Sequence, residues 1–211
     1  MKSIFIISNW ISALILFAPG ITGKDFKPVT ISYSFEKGSK VSIDGITNVK
    51  DFTCVSVKLF SESQTMSLSE DSGSTIYFKN AGLHLDIRSL NCGNSGMNRD
   101  MRHSLKADRF PDILVTLQKA QLTSGNSFFF PAWVSLKINV SIRLAGVEHL
   151  ATIKVQGKKT GANQYHFIGE YPLLLSDFGI DPPTALFGMI KVGNAVEVKF
   201  DLCIVADTIN N

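Results

Sequence analysis

The chain has 211 residues, with 21 lysines and arginines against 18 acidic residues, a formal net charge of +3 and 45% hydrophobic side chains. This length suits one domain with a sizeable core. The near balance of charge, without any run of basic residues, argues against a nucleic-acid-binding protein.

Residues 1–23 have the pattern of a secretory signal peptide. An apolar run of about 14 residues follows Lys2, and small residues follow the run. This run is shorter than the roughly 20 residues that a membrane-spanning helix needs. We therefore expect cleavage after Gly20 or Gly23, a mature domain over residues 24–211, and a location in the periplasm or outside the cell. An uncleaved membrane anchor is the alternative.

Period-two alternation predicts strands along most of the chain after residue 38. In residues 134–144 six apolar side chains alternate with five polar ones, and residues 195–204 repeat the pattern. Further strands are predicted over 40–43, 52–60, 75–78, 83–89, 113–122, 148–155 and 165–175. Turn signals separate them at Asp44-Gly45, Ser124-Gly125-Asn126, Gly157 and Gly161. The polar segment 61–74 is predicted to be a loop or a weak edge strand, and any first strand within 28–43 is short or blurred.

One short helix is predicted over residues 97–107. Its apolar stripe recurs every four residues, at Met97, Met101 and Leu105. Asn94 and Ser95 are candidate caps, and Pro111 prevents continuation because proline lacks the amide hydrogen. We expect the stripe to be buried and the charged side chains to lie in solvent, namely Arg99, Arg102 and Lys106.

Long strands with one apolar face, short turns and little helix are typical of an antiparallel barrel or sandwich. Strands of about ten residues are long for an immunoglobulin-type sandwich, whose Cys…Trp…Cys signature is also missing. A closed barrel would remove the strand edges that such apolar strands expose. We predict an all-β fold, an eight-stranded antiparallel β-barrel with a short inserted helix.

The three cysteines suggest one disulfide and one odd thiol in an exported protein. Alternation places Cys54 on the polar face of its strand and Cys203 on the outer face of the last strand. A Cys54–Cys92 disulfide is favoured, although sequence alone does not pair the cysteines. Three free thiols are the alternative.

Chemistry-bearing motifs are missing from the sequence. The four histidines are scattered without a second histidine or cysteine at metal-ligand spacing: His84, His103, His149 and His166. Asp177 and Asp181 flank a turn-like segment before two prolines. No nucleophile elbow and no phosphate-binding loop occurs. We therefore predict no catalytic residue, no metal site and no enzyme activity.

Four segments, in order, resemble the YceI-like family. They are residues 99–113, ending in the Phe-Pro-Asp-Ile strand start, and residues 144–147, 175–183 and 192–198. The segments around Cys54 and Cys92 are similar to a subgroup of exported bacterial proteins that carries this cysteine pair. Residues 114–117 depart from the family, because they lack its usual aromatic side chain.

The resemblance implies an exported, lipocalin-like barrel that holds a polyisoprenoid or similar long apolar chain. An isoprenoid quinone is a candidate ligand, and no cofactor is implied. The predicted lipid-binding residues are Leu83, Leu85, Ile87, Val115, Leu117, Val134, Leu136, Ile138, Val140, Ile142, Phe167, Val196, Val198 and Phe200.

Alternatives remain at this stage. The barrel interior is either filled by its own side chains or open as a cavity, so a ligand-free structural or protein-interaction barrel stays in consideration. Another amphiphile, such as a fatty acid or fatty amide, is a second alternative ligand. An enzyme ranks last, because alternation supplies few inward polar residues.

Two further hypotheses concern the ends of the barrel. The short helix either covers the cavity as a lid or simply packs against the barrel. The segment 127–133 contains three consecutive phenylalanines, which cannot all point inward from a strand. It either makes transient contact with a membrane or packs under the 61–74 segment.

Overall fold

The computed structural model describes residues 28–56, 63–71, 74–125, 131–185 and 189–209. The predicted signal peptide and the phenylalanines at 128–130 lie outside the described residues. The strands are β1 Val29–Phe35, β2 Lys40–Thr47, β3 Asp51–Ser56, β4 Gln64–Asp71, β5 Thr75–Lys79, β6 Gly82–Asp86, β7 Leu90–Asn91, β8 Asp112–Leu122, β9 Val134–Leu144, β10 Val147–Lys159, β11 Gln164–Leu174, β12 Thr184–Ala185 and β13 Ile190–Thr208. Helix α1 spans Ser95–Ser104, and 3-10 turns span Ile87–Ser89 and Leu175–Phe178.

Eight antiparallel strands close into a ring, which confirms the predicted barrel. Their order around the ring is β1-β4-β5-β8-β9-β10-β11-β13, and β13 pairs back with β1. β1 pairs with residues 204–208 of β13, whereas β2 pairs with residues 192–201 of the same strand. β1 and β2 therefore act as one bent strand along β13. In the same way, β6 pairs with residues 112–116 of β8 and β5 pairs with residues 119–121. The wall is an up-and-down meander in which neighbours in sequence are neighbours in space.

The regular alternation of β9 fixes which side of the wall faces inward. Val134, Leu136 and Val140 are buried, while Lys137 and Arg143 are exposed. β9 pairs along its full length with β10 and over most of it with β8. Since side chains on a strand alternate between the two faces, this register commits one apolar set to the interior.

A two-residue hairpin turn joins β9 to β10. Ala145 and Gly146 have φ angles of 51° and 86°, the two positive values that a type I′ turn requires. A Cβ atom added at Gly146 would lie 2.5 Å from Cζ of Phe110. The turn therefore needs glycine at its second position for both backbone and packing reasons.

We expect Gly146→Ala to lower the free energy of unfolding by about 2 kcal/mol, because it adds left-handed strain and a clash with Phe110. Denaturant unfolding measures the loss. Gly38→Ala is the matched control: Gly38 also has positive φ, at 99°, but a Cβ there meets nothing within 4 Å. Equal losses in the two variants would contradict the packing contribution of Phe110.

Several sequence predictions need correction. Gly45 and Gly157 were predicted as turns but lie inside β2 and β10. Each lies opposite a phenylalanine of the neighbouring strand, Phe52 and Phe167, whose ring lies where a Cβ would be. These glycines make room for aromatic rings on the inner wall, a use of glycine in strands that local sequence does not separate from a turn.

Other corrections concern the first half of the chain. The polar segment 61–74 contains β4, which pairs with both β1 and β5 and so belongs to the ring. The strand predicted over 83–89 ends at Asp86, where the chain enters a 3-10 turn. Cys54 faces inward and is only 2% exposed, contrary to its predicted place on the polar face.

Helix α1 begins at Ser95, before the predicted start at Met97, and ends at Ser104, before the predicted end at Ala107. The Asn94 side chain accepts hydrogen bonds from the backbone N–H groups of Gly96 and Met97, so Asn94 is the N-cap. Leu105 is buried just beyond the last helical turn. Arg102 is partly buried rather than fully in solvent, since its Nη2 donates to the Arg88 carbonyl oxygen at 3.1 Å. Among the described residues, no helix is long and apolar enough to cross a membrane.

Candidate binding cavity

The barrel encloses a cavity of 1320 Å³ that extends along most of its length. All eight strands of the ring contribute side chains to its wall. Pockets for drug-sized ligands typically measure about 300–1000 Å³, so this cavity accommodates a larger molecule. Of the two interpretations of the interior, the structure therefore shows a cavity rather than a core filled by side chains.

Thirteen of the fourteen predicted lipid-binding residues lie on this wall. They are Leu83, Leu85, Val115, Leu117, Val134, Leu136, Ile138, Val140, Ile142, Phe167, Val196, Val198 and Phe200. Ile87 does not line the cavity. It lies in the 3-10 turn after β6 and is fully buried in the hydrophobic core, because the strand alternation stops at Asp86.

Sequence reasoning missed the contributions of β1 to β5 and of β10 to the cavity wall. Ile31, Tyr33 and Phe35 line the cavity from β1, and Met66 and Leu68 line it from β4. The signal was present in both segments, since each alternates these side chains with serine or threonine. In β4 the apolar side chains are few and the flanking residues polar, which made the segment look like a loop.

Tyr33 is a polar group on the cavity wall, and its hydrogen bonds are satisfied there. Its hydroxyl lies 2.6 Å from Gln64 Oε1 and 2.8 Å from the Gly82 carbonyl oxygen, and it accepts a hydrogen bond from the Gly82 N–H at 3.0 Å. Burial raises the pKa of Tyr33 above its ordinary value, partly offset by the Gly82 hydrogen bond. The neutral phenol therefore ties β1 to the break between β5 and β6.

The two ends of the cavity differ from its middle. We call the end that carries α1 the helix end, and the end where β1 begins and β13 finishes the terminus end. Polar lining side chains collect at the helix end: Thr47, Lys50, Asp51, Asn94, Arg99 and Asp100. At the terminus end they are Tyr165 and Thr208. The cavity therefore has an apolar middle between two polar ends.

A disulfide joins Cys54 of β3 to Cys92, beside the N-cap of α1, and confirms the predicted pairing. The Asn98 side chain accepts a hydrogen bond from the Cys92 backbone N–H at 2.7 Å. Met97 and Met101 of the helix, which are half-buried, face the cavity. The disulfide and this hydrogen bond therefore hold α1 against the helix end of the barrel.

The closed ring and its apolar interior define a class: an up-and-down β-barrel built around an internal cavity. Two solved structures share the fold. BcnA of Burkholderia cenocepacia has a TM-score of 0.57 at 16% identity, over 78% of this chain and 95% of that one. A polyisoprenoid-binding domain from Saccharophagus degradans, implicated in plant cell wall breakdown, has a TM-score of 0.60 at 12% identity, over 85% and 99% of the two chains.

At these identities the likeness shows the fold, and it supports at that level the resemblance to the YceI-like family. No protein-family model matches the chain, and no curated protein sequence matches it.

Proposed function

We propose that this protein is an exported, non-enzymatic binding or carrier protein that holds a long apolar chain, a polyisoprenoid or an isoprenoid quinone, inside its barrel. The observation that carries the proposal is the apolar cavity of 1320 Å³. The fold likeness to a polyisoprenoid-binding domain supports this ligand class. The signal-like N-terminal sequence and the disulfide support export, because disulfides persist in oxidising compartments.

The energetics favour a long ligand. Burying a hydrocarbon contributes roughly 0.8 kcal/mol per methylene, so about ten carbons give a gross 8 kcal/mol. Association costs several kcal/mol in lost translational and rotational freedom. Only a chain well beyond ten carbons therefore binds tightly, and an isoprenoid meets that condition.

The same cavity disfavours a ligand-free interaction barrel. Water is a poor occupant of its apolar middle, because a buried water needs two to four polar partners. An apolar occupant therefore stabilises the folded protein, and we expect purified protein to retain one.

Mass spectrometry of an organic-solvent extract tests the proposal directly. The protein is purified from its own cell envelope without detergent, and the extract is compared with that of the Ile138→Glu variant. We expect one long-chain isoprenoid or quinone per protein in the wild type and none in the variant. A stoichiometric fatty acid or fatty amide instead would establish the other amphiphile. A clean extract, with no uptake of added isoprenoid, would contradict a carrier role.

The position of α1 supports a lid role at the helix end. We expect Met101→Asp to weaken lipid retention by at least about tenfold, because it places a charge among the apolar side chains beside the cavity. His103→Asp, on the exposed side of the same helix, is the matched control. The measurement is the dissociation rate of a fluorescent isoprenoid analogue. If a folded Met101→Asp variant releases the analogue at the wild-type rate, α1 has a packing role only.

A further inference from the structure

Three side chains with metal-binding atoms meet on the outer wall of the barrel. His166 on β11 lies directly opposite Cys203 on β13, and Asp201 lies two residues earlier on the same face of β13. The neighbouring residues Phe200 and Leu202 line the cavity, so the three side chains point away from it. All their ligand atoms lie within 4.8 Å of one another, and His166 Nε2 is 2.7 Å from Asp201 Oδ1. The pairing register of β11 and β13 brings these three residues together, although their positions in the sequence are far apart.

The donor set and its spacing fit zinc. One imidazole nitrogen, one carboxylate oxygen and one thiolate sulfur are all ligands that zinc accepts. Zinc bonds of about 2.0–2.3 Å place neighbouring ligand atoms of a tetrahedron about 3.4–3.6 Å apart. The observed separations, from 2.7 Å to at most 4.8 Å, bracket that value. Adjustments of roughly 1 Å in half-buried side chains bring the three atoms to the zinc geometry.

Burial raises the pKa of Cys203, and the charges of Asp201 and Glu36 raise it further, while Lys158 acts in the opposite direction. A metal that binds here must displace the thiol proton, so the case for the site rests on the positions of its three ligand atoms.

The ring of His166 has an aromatic neighbour on the outer wall. Trp133 packs beside it, with ring centroids 5.2 Å apart, and the Lys158 ammonium lies 4.6 Å from the Trp133 ring centroid. The ring is therefore contacted both by Trp133 and, at Nε2, by Asp201.

We propose that His166, Asp201 and Cys203 form a zinc site on the outer wall of the barrel, with a fourth coordination position for water or an external ligand. The site is separate from the cavity, so the zinc proposal does not depend on the proposed lipid ligand. Because β11 and β13 already pair through an unbroken register, the metal is not needed to hold the strands together.

Cobalt titration of the full chain tests the site, because Co²⁺ replaces Zn²⁺ and reports thiolate ligation by its charge-transfer absorption. The titration is run without reductant, so that Cys54 and Cys92 stay joined. We expect one equivalent of Co²⁺ to bind with a thiolate band and to be displaced by Zn²⁺. We expect Cys203→Ser to lose the band, and Cys203→Ser and His166→Ala each to weaken binding by at least about tenfold.

The pair His84 and Asp112 supplies a matched control. The His84 imidazole and the Asp112 carboxylate lie 2.9 Å apart on another part of the wall. Among the described residues, no cysteine lies close enough to form a metal-binding group with them. His84→Ala is expected to leave the cobalt affinity and the band unchanged. Circular dichroism confirms that each variant is folded. The proposal is overturned if wild type shows no thiolate band, or if Cys203→Ser binds cobalt as tightly as wild type.

Discussion

Ile138→Glu is expected to abolish binding of a long apolar chain while leaving the barrel folded. Ile138 lies near the middle of β9, lines the cavity and sits between Ala120 of β8 and Ile153 of β10. A carboxylate there has no partner, and an uncompensated charge in an apolar site costs several kcal/mol. About 3 kcal/mol already equals a hundredfold loss of affinity, which titration with a fluorescent isoprenoid analogue measures.

Two variants separate the charge from other effects. Lys137→Glu introduces the same carboxylate one residue earlier, on the exposed outer face, and should leave the affinity within about twofold of wild type. Ala120→Phe fills part of the cavity without a charge and should weaken long chains more than short ones. Unchanged uptake by a folded Ile138→Glu variant would mean that the ligand does not occupy the middle of the barrel.

Removing the disulfide by Cys54→Ser with Cys92→Ser is expected to lower the free energy of unfolding by about 4 kcal/mol. The bridge closes a loop with a sequence separation of 38 residues, and in the chain-entropy model this constraint on the unfolded chain gives that magnitude. For a domain of this size, the midpoint of thermal unfolding should fall by about 10 °C. Thermal and denaturant unfolding of the oxidised wild type and of the double variant measure the difference.

Cys203→Ser controls for the loss of a cysteine as such. Its side chain lies on the outer wall, away from the bridge, so its effect on stability should stay within about 0.5 kcal/mol. Wild type unfolded in the presence of a reductant should match the double variant. A double variant as stable as the oxidised wild type would show that the packing of α1 alone holds the helix end of the barrel.

The sequence predicted the parts of the fold that depend on local pattern. The bounds of β9 match the alternation over residues 134–144, and the inward set of β13 matches the alternation from Val196 to Ile204. Asn94 is the helix N-cap for the reason that its residue type indicated. These predictions are correct because a strand face or a helix cap is determined by residues that lie close together in the chain.

The errors arise where the partner is distant in sequence. Gly45 resembles a turn residue until Phe52 is known to lie opposite it on β3. Cys54 appeared outward because its strand contains both polar and apolar side chains, and only pairing with β2 settles its face. His166 and Cys203 are adjacent only through the register of β11 and β13. No local property of these residues predicts such neighbours.

The seam between β13 and the bent strand formed by β1 and β2 has a consequence for the order of folding. The most widely spaced of the remaining pairs is Thr75 with Gln121, whereas closure of this seam brings Phe35 opposite Ile204 and Ile43 opposite Val198. Contacts between such distant residues form late, because the entropy of closing a long loop is lost before the contact is gained. We expect an open, curved sheet of the eight strands to form first, with its apolar face still accessible from the side. An apolar ligand that is present at that stage can therefore be enclosed when the last strands pair, without passing through either end of the cavity.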